Sequence, residues 1–185
     1  MTIFGKLCAQ HELRKRIAES RTRLYRVAYS WCHDSHLAED LTQDTLTKAL
    51  KNMGQLQNPK AFDSWLFTIL SNCWRDHLRR HRDMADVDEI DMPDSVTPEH
   101  HRDQHDMVKN VRHHISLLPQ AQRQVITLVD LEGFSYAQVA EIIEVPVGTV
   151  MSRLARARQR LANALLDFKT TQDGELQPAT IRRIK

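Results

Sequence analysis

Gly133-Phe134-Ser135-Tyr136-Ala137-Gln138-Val139-Ala140, followed by Glu144-Val145-Pro146-Val147-Gly148-Thr149-Val150-Met151-Ser152-Arg153, decides the fold of this chain. Ser135 stands at an N-cap position and Gln138 three residues on, a pair that satisfies two orphan amides reciprocally, with Phe134 and Val139 placed as a hydrophobic staple. A helix is therefore predicted from Tyr136 through Ile143. Glu144-Val145-Pro146 interrupts it, and a longer helix is predicted to continue to about Phe168. Short helix, tight turn and longer basic helix make a helix-turn-helix. On the last helix Val150, Leu154, Ala157, Leu161 and Phe168 share one face, and Thr149, Ser152, Arg153, Arg156 and Arg160 another. The second face has donors and no acid. Small polar residues let the backbone approach base edges and arginine bridges guanine or phosphate, so this face is a candidate for the major groove of DNA.

Upstream, Val108, Val111, Ile115 and Leu118 form a helical stripe that stops at Pro119, and Val125, Ile126, Leu128 and Val129 a second one that stops near Gly133. Before them, residues 83–106 crowd Asp83, Asp86, Asp88, Glu89, Asp91 and Asp94 with Glu99, Asp103, Asp106 and two prolines, without large apolar periodicity. That composition predicts a flexible, solvated acidic linker. In the first part of the chain, Leu13, Ile17, Leu24, Val27, Ala28 and Trp31 predict one amphipathic helix over about 12–31. Asp34 and Ser35 offer N-cap chemistry for a second, running to about Met53 with Gly54 as its stop. Asn58-Pro59 opens a third, since proline suits the first helical position. On it Phe62, Leu66, Ile69 and Cys73 line the core side, and Asn72, Arg75, Asp76 and Arg79 form a polar stripe. The fold expected is all-α: two small helical domains joined by the linker, the second containing the helix-turn-helix.

Composition narrows the function classes. The chain has 185 residues, 41% hydrophobic and 27% charged, with five glycines and six prolines, as in a helical globular protein. Its net charge of +2 conceals segregation, with Arg75, Arg79, Arg80 and Arg82 in one basic cluster and Arg153, Arg156, Arg158 and Arg160 in another. Apolar runs fall far short of the roughly 20 residues that cross a bilayer. Residues 1–10 do not read as a secretory signal, so a cytoplasmic location without membrane insertion is expected. Cys8, Cys32 and Cys73 are too widely spaced for a disulfide framework or a CxxC pair. Neither Cys32-His33 with His36 nor His100, His101 and His105 has four-ligand spacing, and neither a metal nor another cofactor is expected. No nucleophile–base pairing, phosphate-binding glycine loop or paired-carboxylate pocket argues for an enzyme.

Leu117-Leu118-Pro119, Gly133-Phe134-Ser135-Tyr136 with Val139-Ala140, Val145 to Val150, Ser152-Arg153-Leu154 and Arg156-Ala157-Arg158 together resemble the C-terminal domain of extracytoplasmic-function sigma factors of bacterial RNA polymerase. The resemblance implies that this domain binds the −35 promoter element through Ser152, Arg153 and Arg156, and Thr149 on the same face is a further DNA-binding candidate. Met151 stands where the family often has lysine or arginine. Ala38-Glu39-Asp40-Leu41-Thr42-Gln43-Asp44-Thr45-Leu46 is similar to the segment that holds the clamp helices of the polymerase β′ subunit, which implies roles there for Asp40, Leu41, Gln43 and Asp44. Phe62-x-x-Trp65-Leu66 and Asn72-x-x-x-Asp76-x-x-Arg79-Arg80 look like the −10 reading and strand-opening element. Melting requires a pocket for an unstacked base and a basic track for phosphates. The resemblance assigns the pocket to residues 55–60, including Lys60, with Asn72, and the track to Arg75, Arg79 and Arg80, beside Asp76. It also implies a linker threading the polymerase and an anti-sigma protein covering the polymerase-binding surfaces.

The domains expected are 8–82, binding core polymerase and the −10 element; the linker 83–106; 107–168, binding the −35 element; and a tail 169–185. A helix-turn-helix regulator that works without polymerase would account for the C-terminal half, but not for the Asp40–Asp44 and Asn72–Arg80 motifs. A metal- or redox-responsive protein would use the cysteines and histidines instead.

Overall fold

The structure, a computed structural model, describes residues 3–85 and 105–173, with side chains over 10–81 and 111–165. The first helix expected is two: α1 (Ile3–Glu19) and α2 (Arg21–Cys32). Ser20 stands between them at φ −76° and ψ −7°, its amide shared between the Arg16 and Ile17 carbonyls (3.1 and 3.2 Å) and its hydroxyl donating to the Arg16 carbonyl (2.8 Å). His33 ends α2 in the left-handed region (φ 54°), its amide donating to the Tyr29 carbonyl (2.8 Å). Asp34 caps α3 (Ser35–Lys51), accepting from the His36 and Leu37 amides (2.8 and 3.0 Å). Those amide bonds hold its carboxyl below the usual carboxylate range.

Helix α3 stops at Asn52 rather than Gly54. Gly54 lies in a short 3-10 turn, Met53–Gln55, and has no positive φ. Asn58 caps a second 3-10 turn, Pro59–Ala61, accepting from the Lys60 amide (3.0 Å). The long α4 (Phe62–Ala85) follows and carries the chain into the region expected to be linker. Residues 86–104, most of that region, and 174–185, most of the tail, lie outside the described residues.

The second half comprises α5 (His105–Ser116), α6 (Gln120–Ile126), α7 (Tyr136–Ile143) and α8 (Val147–Asp173), which runs past Phe168. Helix α6 runs on as a π-helical turn, Thr127–Leu131, and Gly133 turns the chain at φ 75°. Both arms of the capping box form: Ser135 Oγ accepts from the Gln138 amide (3.3 Å) and Gln138 Oε1 from the Ser135 amide (2.9 Å). Among the described residues there is no strand and no helix long and apolar enough to cross a membrane.

The halves pack together, α4 lying against α7 and α2 against α6. Trp31, Leu66, Phe67 and Leu70 belong to the same apolar cluster as Leu128, Val139, Ile142 and Leu154. The Phe67 and Phe134 rings meet edge to face at 5.1 Å. Truncating such a buried side chain to alanine costs about 2–5 kcal/mol. Polar links surround this seam. Arg23 donates to Glu132 (2.5 Å) and Asp63 (2.9 Å) and lies over the Phe67 ring. Arg123 donates to the carbonyls of Trp31 (3.0 Å) and Leu118 (3.1 Å), and Ser30 meets Thr127 at 3.2 Å.

Candidate nucleic-acid interface

Pro146 sets the start of α8, its carbonyl accepting from the Thr149 and Val150 amides (2.9 and 3.2 Å). Val150, Leu154 and Ala157 turn into the core. A helix rotates 100° per residue, so Ser152 and Arg156 face away from that core; both are exposed, with Thr149 and Arg153 half-buried beside them. Ser152 Oγ donates to the Thr149 carbonyl (3.1 Å). Among the described residues neither Arg153 nor Arg156 enters an ion pair, whereas Arg158 is held by both carboxylate oxygens of Asp130 (3.1 and 2.5 Å). That charge-assisted pair raises the Arg158 pKa. The basic cluster read along the sequence thus divides into arginines that face solvent and one that braces α8.

On α4, Asn72 is half-buried, with Oδ1 shielded from solvent and lacking a hydrogen-bond partner. Arg75 reaches the turn of the helix-turn-helix, donating to Glu144 (2.6 Å) and the Ile143 carbonyl (3.3 Å). Asp76 sits between Lys48 (3.7 Å) and Arg79 (3.4 Å), and Arg79 and Arg80 are exposed. Lys60 lies a turn ahead of α4, twelve residues before Asn72 or about 18 Å along a helix axis, so the two do not meet as one cluster. Phe62 is core, with the Arg16 guanidinium 4.1 Å above its ring.

The acidic segment occupies the outer face of α3. Asp40, Gln43 and Asp44 are exposed and, with Arg80 and His77 of α4, line a cleft of about 380 Å³. Leu41 is 3% exposed and belongs to the core beneath that face, so its side chain anchors α3 rather than reaching a partner. Glu39 is bound by Arg21 (2.5 Å) and by Gln43 (3.0 Å), which keep its carboxyl below the usual range.

Cys32 Sγ donates to the Asp34 carbonyl (3.2 Å), and burial pushes its thiol pKa up. Burial, and then the Arg123 charge, push His33 down to about 4. Among the described residues no three His, Cys, Asp or Glu side chains gather as metal ligands; His100 and His101 lie outside them. The polar pairs that join the halves, Arg23 with Glu132 and Arg123 with Trp31, have no signature in the sequence. They link residues far apart in a chain rich in both charges, and no spacing rule selects them.

Comparison with known proteins bears on these surfaces. The "Sigma-70 region 2" family matches residues 17–83, and "Sigma-70, region 4" matches 109–161. The chain is 35% identical to the ECF RNA polymerase sigma factor EcfG of Rhodopseudomonas palustris, over 87% of this chain and 88% of that protein. It is 34% identical to the RNA polymerase sigma-H factor of Pseudomonas aeruginosa, over 72% of this chain and 75% of that one. Among solved structures it resembles the sigma factor RpoE in complex with the anti-sigma factor NepR from Bartonella quintana. The TM-score is 0.71 at 30% identity, covering 83% of this chain and 96% of that one. CnrH in complex with the cytosolic domain of CnrY gives 0.59 at 27%, covering 85% and 89%. The chain therefore belongs to the extracytoplasmic-function group of RNA polymerase sigma factors.

Proposed function

We propose that α8 reads the −35 element through Thr149, Ser152, Arg153 and Arg156. We further propose that α4 and the turn before it, through Lys60, Asn72, Arg75, Asp76, Arg79 and Arg80, read and open the −10 element. Asp40, Gln43 and Asp44 on α3 bind the β′ clamp helices. The protein binds core polymerase and directs promoter-specific initiation; it acts in the cytoplasm by binding, not catalysis. Residues 8–82 and 107–168 are the working domains and 83–106 the connection between them. One observation supports the DNA reading most: the exposed face of α8 carries Ser152 and Arg156 with no acidic partner, while the neighbouring Arg158 is spent on Asp130. Free guanidinium donors are what guanine O6 and N7 or phosphates require. An anti-sigma protein that covers the polymerase-binding surfaces controls it; a relative was solved in complex with the anti-sigma factor NepR.

The test is run-off transcription with purified bacterial core polymerase on promoters from the source genome. Promoter-specific transcripts are expected only with this protein, and Asp40→Ala with Asp44→Ala should remove most of them while leaving binding to −35 DNA intact. Sequence-specific DNA binding by the protein alone, with no transcript, would instead identify a regulator that works without polymerase.

A further inference from the structure

Positions four apart on an α-helix lie nearly above one another, so the exposed side of α8 is a set of rows. Gly148, Ser152 and Arg156 form the middle row, with Thr149 and Arg153 to one side. On the other side Val147, Met151 and Ala155 form a row that is apolar throughout and exposed throughout. Val147 is 42% and Met151 53% exposed. Among the described residues no other two large exposed apolar side chains stand one turn apart on a helix; here two do, at the start of α8. Scattered ones need no explanation, but a row beside donor residues does.

The major groove presents guanine acceptors and, as its one apolar feature, the C5-methyl group of thymine. A basic side chain at position 151 would look for phosphate or guanine. A thioether on a flexible stem cannot, and fits a methyl group instead. We propose that Met151, flanked by Val147 and Ala155, contacts thymine methyl groups of the −35 element, next to the bases read by Ser152 and Arg156. The inference rests on α8 being the −35 reader. It makes position 151 a determinant of which −35 sequences this protein accepts.

The experiment uses the full chain with core polymerase on a promoter it transcribes, with each −35 thymine replaced in turn by uracil, which keeps its pairing edge and O4 but lacks the methyl. Burial of one methyl is worth about fourfold in affinity, so at one or two positions uracil should weaken promoter binding by about that factor. Met151→Ala should bind thymine and uracil templates equally, and Met151→Leu should keep the preference. Position 151 is exposed, so both variants should retain helical content, checked by circular dichroism. Equal binding of all uracil templates by the unaltered protein, while Arg156→Ala still loses −35 selectivity, would overturn the methyl contact and leave the reading of α8 standing. A loss on Met151→Ala that is the same for thymine and uracil would assign the row to a protein partner and likewise overturn it. If Arg156→Ala changes neither the −35 preference nor the salt dependence of promoter binding, the reading of α8 fails and the methyl contact with it.

Discussion

Arg156 and Arg158 stand two residues apart in one basic run, yet they answer to different forces. Arg156 extends into solvent, whereas the Arg158 guanidinium meets the Asp130 carboxylate in a two-point bond. Each phosphate contact releases counterions and steepens the fall of DNA affinity with salt by about one logarithmic unit per contact. Arg156→Ala should therefore either lower that slope by about one, if it contacts phosphate, or relax base preference at one position, if it contacts guanine. Arg158→Gln should do neither. It should cost about 0.5–1 kcal/mol in thermal or denaturant unfolding, as an exposed but bidentate pair does, and swapping the charges as Asp130→Arg with Arg158→Asp should return part of it. A reduced salt slope for Arg158→Gln would show that it touches DNA. Along the sequence these arginines were one cluster, because charge runs do not say which member has a partner. Asp130 lies 28 residues away across a π-helical turn, and that turn left no mark in the pattern of apolar positions.

At the scale of elements, the end of α2 makes a pH prediction. His33 holds a left-handed backbone (φ 54°) and lies beside Arg123, burial and that charge keeping its pKa near 4 against an ordinary 6.5. The unfolded chain thus binds a proton that the folded one refuses between those values. Stability from this group is intact above about pH 6.5 and is lost as pH falls toward 4. The full shift overstates the effect for a half-exposed ring, and about 1 kcal/mol is expected. His33→Asn keeps a residue that tolerates the left-handed cap and removes the titration, so its unfolding midpoint should change less between pH 7 and pH 4.5 than that of the unaltered protein. Equal acid sensitivity in the two would move the cause elsewhere. Elements whose ends are specified by short-range chemistry were legible: the Asp34 cap, the Asn58-Pro59 start and the Ser135–Gln138 box all form. The break at Ser20 was not, because Leu13, Ile17, Leu24, Val27 and Trp31 keep one stripe across it. Of the candidate site, the exposed face of α8 followed directly from periodicity. Leu41 did not, since a motif names a segment without saying which side chain turns inward.

For the whole molecule, the packing of the two halves conflicts with simultaneous promoter reading. Elements centred near −35 and −10 lie about 25 base pairs apart, roughly 85 Å of duplex at 3.4 Å per step. Here Arg75 of α4 is 2.6 Å from Glu144 in the turn that leads into α8, so the proposed −10 and −35 readers are neighbours. Readers held this close by the Arg75–Glu144 bond cannot span that length of duplex, and the arrangement described is a closed one that must open to read a promoter. Its seam combines the Phe67–Phe134 contact with Arg23 bound to a Glu132 whose side chain is only 10% exposed. Reversing one partner of so shielded a pair leaves like charges together and should cost the seam about 3 kcal/mol. With donor and acceptor dyes at positions 50 and 159, energy transfer in the free protein should be high, should fall in Glu132→Arg, and should return when Arg23→Glu is added. Binding of core polymerase to the unaltered protein should lower it as Glu132→Arg does, and Glu132→Arg should bind polymerase more tightly because the opening is already done. If transfer is unchanged in Glu132→Arg, Arg23 and Glu132 do not hold the halves. If transfer stays high in the polymerase complex, promoter reading does not require them to part.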